Sequence, residues 1–173
     1  PALVIGGGLT GIDTATELLA YYPVQVEKTL DRFETLAAER GEDAVRAMYR
    51  PEELAILDEF LAHGRAVRAE RARAAAAGDA PDLARLVGEW GGVTLCYRKG
   101  LKDAPAYRLN HEEVSKALEE GIGFAEFLEP VEALPDEHGH LAGMVFNRLD
   151  TGDTVTLPAR ACMVAAGTSP NVI

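Results

Sequence analysis

Positive charge is scarce in this sequence. Its 173 residues carry 17 Lys and Arg against 28 Asp and Glu, a formal net charge of −11. A surface of that sign repels phosphate backbones and anionic lipid, which argues against general nucleic-acid or membrane-surface binding. Long apolar runs are also missing: nothing approaches the roughly 20 residues of a membrane span. The apolar start, Ala2 to Ile5, is too short for a signal sequence and has no basic flank. Cysteine occurs twice, at Cys96 and Cys162, each inside an apolar run and with no C-x-x-C. The two read as buried core thiols of a protein kept in a reducing, cytoplasmic compartment, the alternative being a disulfide between them that a chain of this size does not require. No internal repeat appears, no Gly-Lys-Ser/Thr follows a glycine turn, and no Ser/His/Asp order has supporting context.

What is present is a globular composition, 47% hydrophobic, in a chain long enough for one domain with a real core. Ala2 to Ile5 reads as a short buried strand ended by Gly6 to Gly8. Ile12, Ala15, Leu19 and Tyr22 then recur on one face of a helix, which Pro23 is expected to close. Residues 24–90 are rich in Ala, Glu, Arg and Leu and poor in β-branched residues. Val26, Leu30, Phe33 and Ala37 keep helical spacing up to Gly41. Pro51, Glu52 and Glu53 open another helix, which runs to about Ala77 before Gly78 and Pro81 break it. A short helix follows to Trp90, so 24–90 reads as one helical insertion.

Strand character returns at Val93 to Tyr97, followed by a polar loop from Arg98 to Asn110 and a helix from His111 to Glu120. Asn110 is placed to cap that helix, with Glu113 completing a capping box. Ile122 to Leu128 reads as the next strand. Segments near 131–134, 141–149 and 154–157, separated by turns at 136–139 and 150–153, form a meander. Ala161 to Ala166 is a last buried strand. The expected fold is α/β: a Rossmann-like parallel sheet with an antiparallel β-meander and an inserted helical segment.

Gly6-x-Gly8-x-x-Gly11 sits where a dinucleotide-binding turn requires it, after a buried strand and at the opening of an amphipathic helix. The first glycine permits the turn, the second lets backbone approach a pyrophosphate, and the third lets the helix pack close to the strand. The helix start offers unpaired N–H groups to phosphate. An acid is expected at the end of the next parallel strand in NAD-specific domains. The acids at Glu27 to Asp31 lie in a helical pattern instead. Once the insertion is removed, the second strand is VTLCY, and it ends in Arg98 and Lys99. That pair suits the extra 2′-phosphate of NADP better than the ribose of NAD. It also speaks against a methyltransferase-like site, which needs an acid there.

The stretches "VIGGGLTGID", "VTLCYRK", "APAYRLNHEEVSKALEEGIGF" and "MVAAGTSPN" resemble the NADPH-binding domain of two-dinucleotide-binding-domain flavoproteins, the pyridine nucleotide-disulfide oxidoreductase superfamily. The nearest likeness is to the glutamate synthase small subunit and its relatives. It covers 2–22 and 92–173. The resemblance implies a four-stranded parallel sheet plus a three-stranded meander, inserted in the middle of an FAD-binding domain of the same parent chain. It implies that Gly6, Gly8 and Gly11 hold the pyrophosphate, with backbone N–H groups from Leu9 and Thr10. It implies that Arg98 and Lys99 take the 2′-phosphate, and that Gly167 lies where the chain returns to the FAD domain. Glu113 matches an acid of the family and receives no role.

Two features depart from the family pattern. The insertion at 24–90 is foreign to it, and neither an FAD-binding glycine motif nor the family's Gly-Asp segment is present. The lack of C-x-x-C leaves the thioredoxin-reductase mode, with a redox disulfide in this domain, without support.

The expected function is therefore that of an NADP(H)-binding domain, 1–173, cut from a larger FAD-dependent oxidoreductase at two crossings into its neighbour. Nicotinamide would be positioned for hydride transfer to a flavin held elsewhere, and the chain alone would catalyse nothing. NAD(H) is the less favoured cofactor. A different class of reading is a Rossmann-like module whose nucleotide site does not function and whose insertion serves as an interaction surface, a candidate place for a partner subunit. His138 and His140 in the turn "DEHGH" read as solvated rather than metal-binding. The Arg65–Arg73 cluster reads as a charged helix face.

Overall fold

The structure is a computed structural model and describes residues 1–167. The chain forms two compact units. The first comprises Pro1–Leu19 and the chain from Gly88 onward; the second is Ala20–Val87.

The first unit is α/β. Strands β1 (Ala2–Ile5), β2 (Val93–Cys96), β3 (Gly123–Ala125) and β7 (Ala161–Val164) form a four-stranded sheet in the order β3-β2-β1-β7. All three pairings are parallel, with Ile5 level with Cys96 on one side and with Val164 on the other. The sequences ALVI and VTLC are mostly apolar because the inner strands of a parallel sheet are covered on both faces. Leu3, Cys96 and the half-buried Ile5 and Cys162 pack against Leu128, Met144, Phe146 and Ala159. The latter four come from or adjoin the antiparallel sheet β4 (Leu128–Pro135), β5 (Leu141–Arg148) and β6 (Thr154–Pro158). Val4 and Leu95 are fully buried and point the other way by strand alternation. There the start of helix α1 (Leu9–Arg40) lays Ile12, Ala15 and Leu19, all buried. Burying side chains of this size is worth about 1.5–3 kcal/mol each, so both faces of β1 contribute to holding it.

The sheet also settles the cysteines, which are free. Cys96 is level with Ile5 and Cys162 with Leu3, on opposite sides of β1. Two strand spacings of about 4.8 Å each already exceed the roughly 7 Å limit between bridged Cα atoms. Burial, and secondarily Cys162, pushes the Cys96 thiol up to about 12. Cys162 is raised by burial too, but it is half-buried rather than a full core residue.

The second unit is helical. It holds the rest of α1, α2 (Glu42–Arg46), α3 (Pro51–Ala77) and most of α4 (Leu83–Glu89). Leu30, Phe33, Val45, Leu57 and Leu61 form its core. A Cβ on Gly64 would lie 2.6 Å from the Val26 carbonyl oxygen and 2.9 Å from Leu30 Cβ, so glycine lets α3 and α1 touch there. The Tyr22 hydroxyl is 2.7 Å from His63 Nδ1. Pro51 opens α3 at its first turn, the Arg50 N–H donates to Glu53 Oε2 at 2.8 Å, and Gly78 ends the helix at φ 71.

Several expectations are corrected. Pro23 does not close the first helix: α1 runs through it for 32 residues. A mid-helix proline costs about 3 kcal/mol by removing one hydrogen bond and crowding the carbonyl four residues back. Pro23 is fully buried, and its burial works against that cost. The loop Arg98–Asn110 contains a 3-10 turn (Leu101–Asp103) and α5 (Pro105–Leu109). Asn110 precedes α6 (His111–Glu119) but makes no side-chain capping bond, because its φ of −154° and ψ of 80° are those of a residue also ending α5. The strand expected over Ile122–Leu128 is two strands, divided at Glu126 and Phe127.

Glu70 is the one buried charged residue among those described, 6% exposed. Its carboxylate accepts from Arg73 Nε and Nη2 at 2.8 and 2.7 Å and from the Asp82 N–H at 2.9 Å. The Arg73 hydrogen bonds first, then the Asp82 N–H, hold its carboxyl down at about 2, from an ordinary 4.5. A depressed carboxyl stabilises the fold above its unfolded pKa, and that contribution is lost as pH falls through the folded one. Glu70→Gln is therefore expected to lower the urea midpoint at pH 7, with the gap to wild type closing between about pH 4.5 and pH 2. A gap that stays constant across that range contradicts the assignment.

Candidate nucleotide site

Because the four-stranded sheet is parallel, its strands all end at one edge. That edge gathers Gly6–Gly8 after β1, Tyr97–Lys99 after β2, Glu126–Phe127 after β3 and Ala165–Gly167 after β7. The C-terminal edge is where open α/β sheets place ligands.

The three motif glycines are there for different reasons. Gly6 has φ 140, and a Cβ there would lie 2.1 Å from the Ala165 carbonyl oxygen. Its N–H donates to Cys96 O at 3.1 Å. A Cβ on Gly11 would lie 2.5 Å from Gly6 O and 3.4 Å from a Leu95 methyl. These two are fixed by the protein's own packing. Gly8 is not: a Cβ there would meet nothing within 4 Å, and its φ is outside the left-handed region. Nothing among the described residues requires glycine at position 8; an approaching ligand would.

Gly8 O accepts the Gly11 and Ile12 N–H groups at 2.9 and 3.3 Å, which starts α1. Among the described residues, the N–H groups of Gly8, Leu9 and Thr10 have no acceptor. No acid stands in the first turn of α1. Free N–H groups and the positive end of the helix dipole make this a place for an anion.

Arg98 and Lys99 are exposed just beyond β2. Among the described residues neither has an ion-pair partner, which they share with Lys102, Arg108 and Lys116 of the same unit, whereas Arg148 holds Asp150. The sheet order puts this pair beside the glycine turn, on the neighbouring strand. Gly167 is exposed at φ 89, with nothing among the described residues near its Cβ position, past β7 at the same edge. The rest of its motif, from position 168, lies outside the described residues.

Sequence reasoning missed Gly7 and Tyr97. A Cβ on Gly7 would lie 2.6 Å from the Tyr97 ring, and Gly7 O accepts the Ala106 N–H at 2.9 Å. The glycine triplet and the aromatic end of VTLCY were the available signal. His138 and His140 both donate their backbone N–H groups to Asp136 Oδ1 at 2.8 Å, so this acid closes a hairpin turn. No cluster that could hold a metal ion occurs among the described residues. No described helix is long and apolar enough to cross a membrane.

No protein-family model matches the chain. The chain is 34% identical over 147 residues to Uncharacterized protein RP006 of Rickettsia prowazekii (strain Madrid E). That match covers 85% of this chain and 18% of the relative, so the chain spans under a fifth of the relative's length. Among solved structures, thioredoxin reductase from Streptococcus pyogenes MGAS5005 is similar over 43% of this chain and 23% of its own, at 13% identity and a TM-score of 0.37. Lactococcus lactis thioredoxin reductase (FR conformation) is similar over 49% and 28%, at 17% identity and a TM-score of 0.38.

The glycines give a test that needs no ligand. Gly6→Ala and Gly11→Ala are expected to destabilise by more than about 1 kcal/mol. Gly8→Ala is expected to stay within about 0.5 kcal/mol of wild type. Thermal or urea unfolding of the three variants checks this; equal losses at all three would contradict the division.

Proposed function

We propose that this chain is an NADP(H)-binding segment of an FAD-dependent oxidoreductase. The observation that carries the reading is Gly8, which lies open and whose N–H, with those of Leu9 and Thr10, has no acceptor among the described residues. The cation pair Arg98 and Lys99 sits on the adjacent strand end.

The residues suit the cofactor's chemistry. Gly8, Leu9 and Thr10 would donate backbone N–H groups to the pyrophosphate, and Gly8's missing side chain would let the phosphates approach the backbone. Arg98 and Lys99 would take a 2′-phosphate, Arg98 through a planar bidentate fork and Lys99 as a point charge. The nicotinamide, when bound, supplies a hydride. This chain's part is to bind and orient the cofactor, and the chemistry belongs to cofactors. The flavin that would accept the hydride belongs to another domain of the parent protein. Gly167 stands where the chain would cross toward it, and the helical unit is the surface we assign to a partner subunit.

Calorimetric titration of the chain with NADPH and NADH tests this. NADPH is expected to bind more tightly. A charge-assisted hydrogen bond is worth about 1.5–3 kcal/mol, so Arg98→Ala and Lys99→Ala should each weaken NADPH by roughly 10- to 100-fold and leave NADH nearly unchanged. Failure of both nucleotides to bind, or tighter binding of NADH, would overturn the reading in favour of a structural module.

A further inference from the structure

The Arg98–Lys99 pair lies on an exposed loop, where long cationic side chains have little to hold them. The backbone beneath them is not loose. Four successive residues of the crossing from β3 to β4 grip it. Ala125 O accepts the Tyr97 N–H at 2.9 Å, and the Leu128 N–H donates to Tyr97 O at 2.9 Å. The Phe127 N–H reaches Lys99 O at 3.4 Å. Glu126 Oε1 accepts the Leu101 N–H, at the opening of the 3-10 turn. The Phe127 ring edge lies 3.4 Å from the Cβ position of Gly100, with the Glu126 carboxylate at 3.5 Å.

The crossing holds an unusual backbone. Phe127 has φ 59, the only positive φ outside glycine among the described residues. A bulky residue held in the left-handed region costs of order 1–3 kcal/mol and persists only where its surroundings over-determine it. This turn divides the strand expected over Ile122–Leu128. In doing so it aims the Phe127 and Leu128 N–H groups at the carbonyls of Lys99 and Tyr97, on either side of Arg98, while Phe127 O accepts the Leu149 N–H at 2.8 Å from the far side.

We infer that Phe127 and Glu126 are positioning residues for nucleotide selectivity, the left-handed turn at Phe127 fixing the loop that presents Arg98 and Lys99 to a 2′-phosphate. The inference rests on the NADP(H) reading. A β-branched residue at position 127 is incompatible with φ 59, whereas glycine adopts it freely. Phe127→Ile should release the loop, Phe127→Gly should keep its backbone path, and Glu126→Ala should free the Leu101 N–H without touching Phe127.

The test has two arms. In the nucleotide-free protein, hydrogen exchange at Leu101 and Phe127 should accelerate at least tenfold in Phe127→Ile, and at Leu101 alone in Glu126→Ala. In titrations, the ratio of NADH to NADPH dissociation constants should fall about tenfold in Phe127→Ile and severalfold in Glu126→Ala, and hold within about threefold in Phe127→Gly, with NADH affinity unchanged throughout. An unchanged ratio in Phe127→Ile and Glu126→Ala overturns the inference while leaving the cofactor reading intact. So do equal losses in Phe127→Ile and Phe127→Gly. Wild type showing no NADPH preference sinks both, and the exchange arm then reports only a structural brace. Glu126→Ala serves as the decisive variant if Phe127→Ile does not fold.

Discussion

Helix α1 begins directly over the end of β1, and it can do so because Gly11 carries no side chain. A Cβ there would sit 2.5 Å from Gly6 O, well inside contact distance. With Gly11 bare, the helix starts at Leu9 and lays Ile12 and Ala15 on the sheet face that also buries Val4 and Leu95. The same approach leaves Gly8 between strand and helix with its N–H, and those of Leu9 and Thr10, without an acceptor among the described residues. Moving the helix one turn outward would relieve Gly11 and lose both the packing and the anion-facing backbone. One steric constraint therefore fixes the core on that face and the character of the site.

Charge is distributed with the same economy. A chain of net charge −11 is a poor host for a phosphorylated ligand unless cations are kept free at the right place. In the helical unit three arginines are engaged, Arg68 with Asp31 and Glu34, Arg71 with Glu27 and Arg73 with Glu70. These pairs occupy those cations. Arg98 and Lys99 have no such partners among the described residues and stand at the C-terminal edge of the parallel sheet.

The parallel sheet and the meander were legible because their signals are local. Short apolar runs bounded by glycine marked β1, β2 and β7, and segments punctuated by the turns at 136–139 and 150–153 marked β4 to β6. The continuity of α1 was also written in the sequence, though Pro23 hid it. Ile12, Ala15, Leu19, Tyr22, Val26, Leu30, Phe33 and Ala37 advance by three or four without a break in phase. A propensity rule outranked a periodicity that tertiary burial made decisive. At the site, the motif residues were readable but their separate reasons were not. That Gly6 and Gly11 answer to Ala165 and Gly6 while Gly8 answers to nothing among the described residues depends on contacts across the fold. The left-handed Phe127 had no local signal at all, since its conformation is imposed by Lys99 and Leu149 from elsewhere in the chain.

The central claim is that the glycine turn and the cation pair form one phosphate-recognising site. Adenosine 2′,5′-bisphosphate carries both phosphates without nicotinamide or flavin. Titrating it into the isotope-labelled chain and following backbone amide resonances tests the claim directly. The account predicts saturable shifts at Gly8, Leu9 and Thr10 together with Arg98 and Lys99, the latter two absent when adenosine 5′-monophosphate is used. Shifts at only one of the two groups with the bisphosphate, or identical shifts with both ligands, would contradict it.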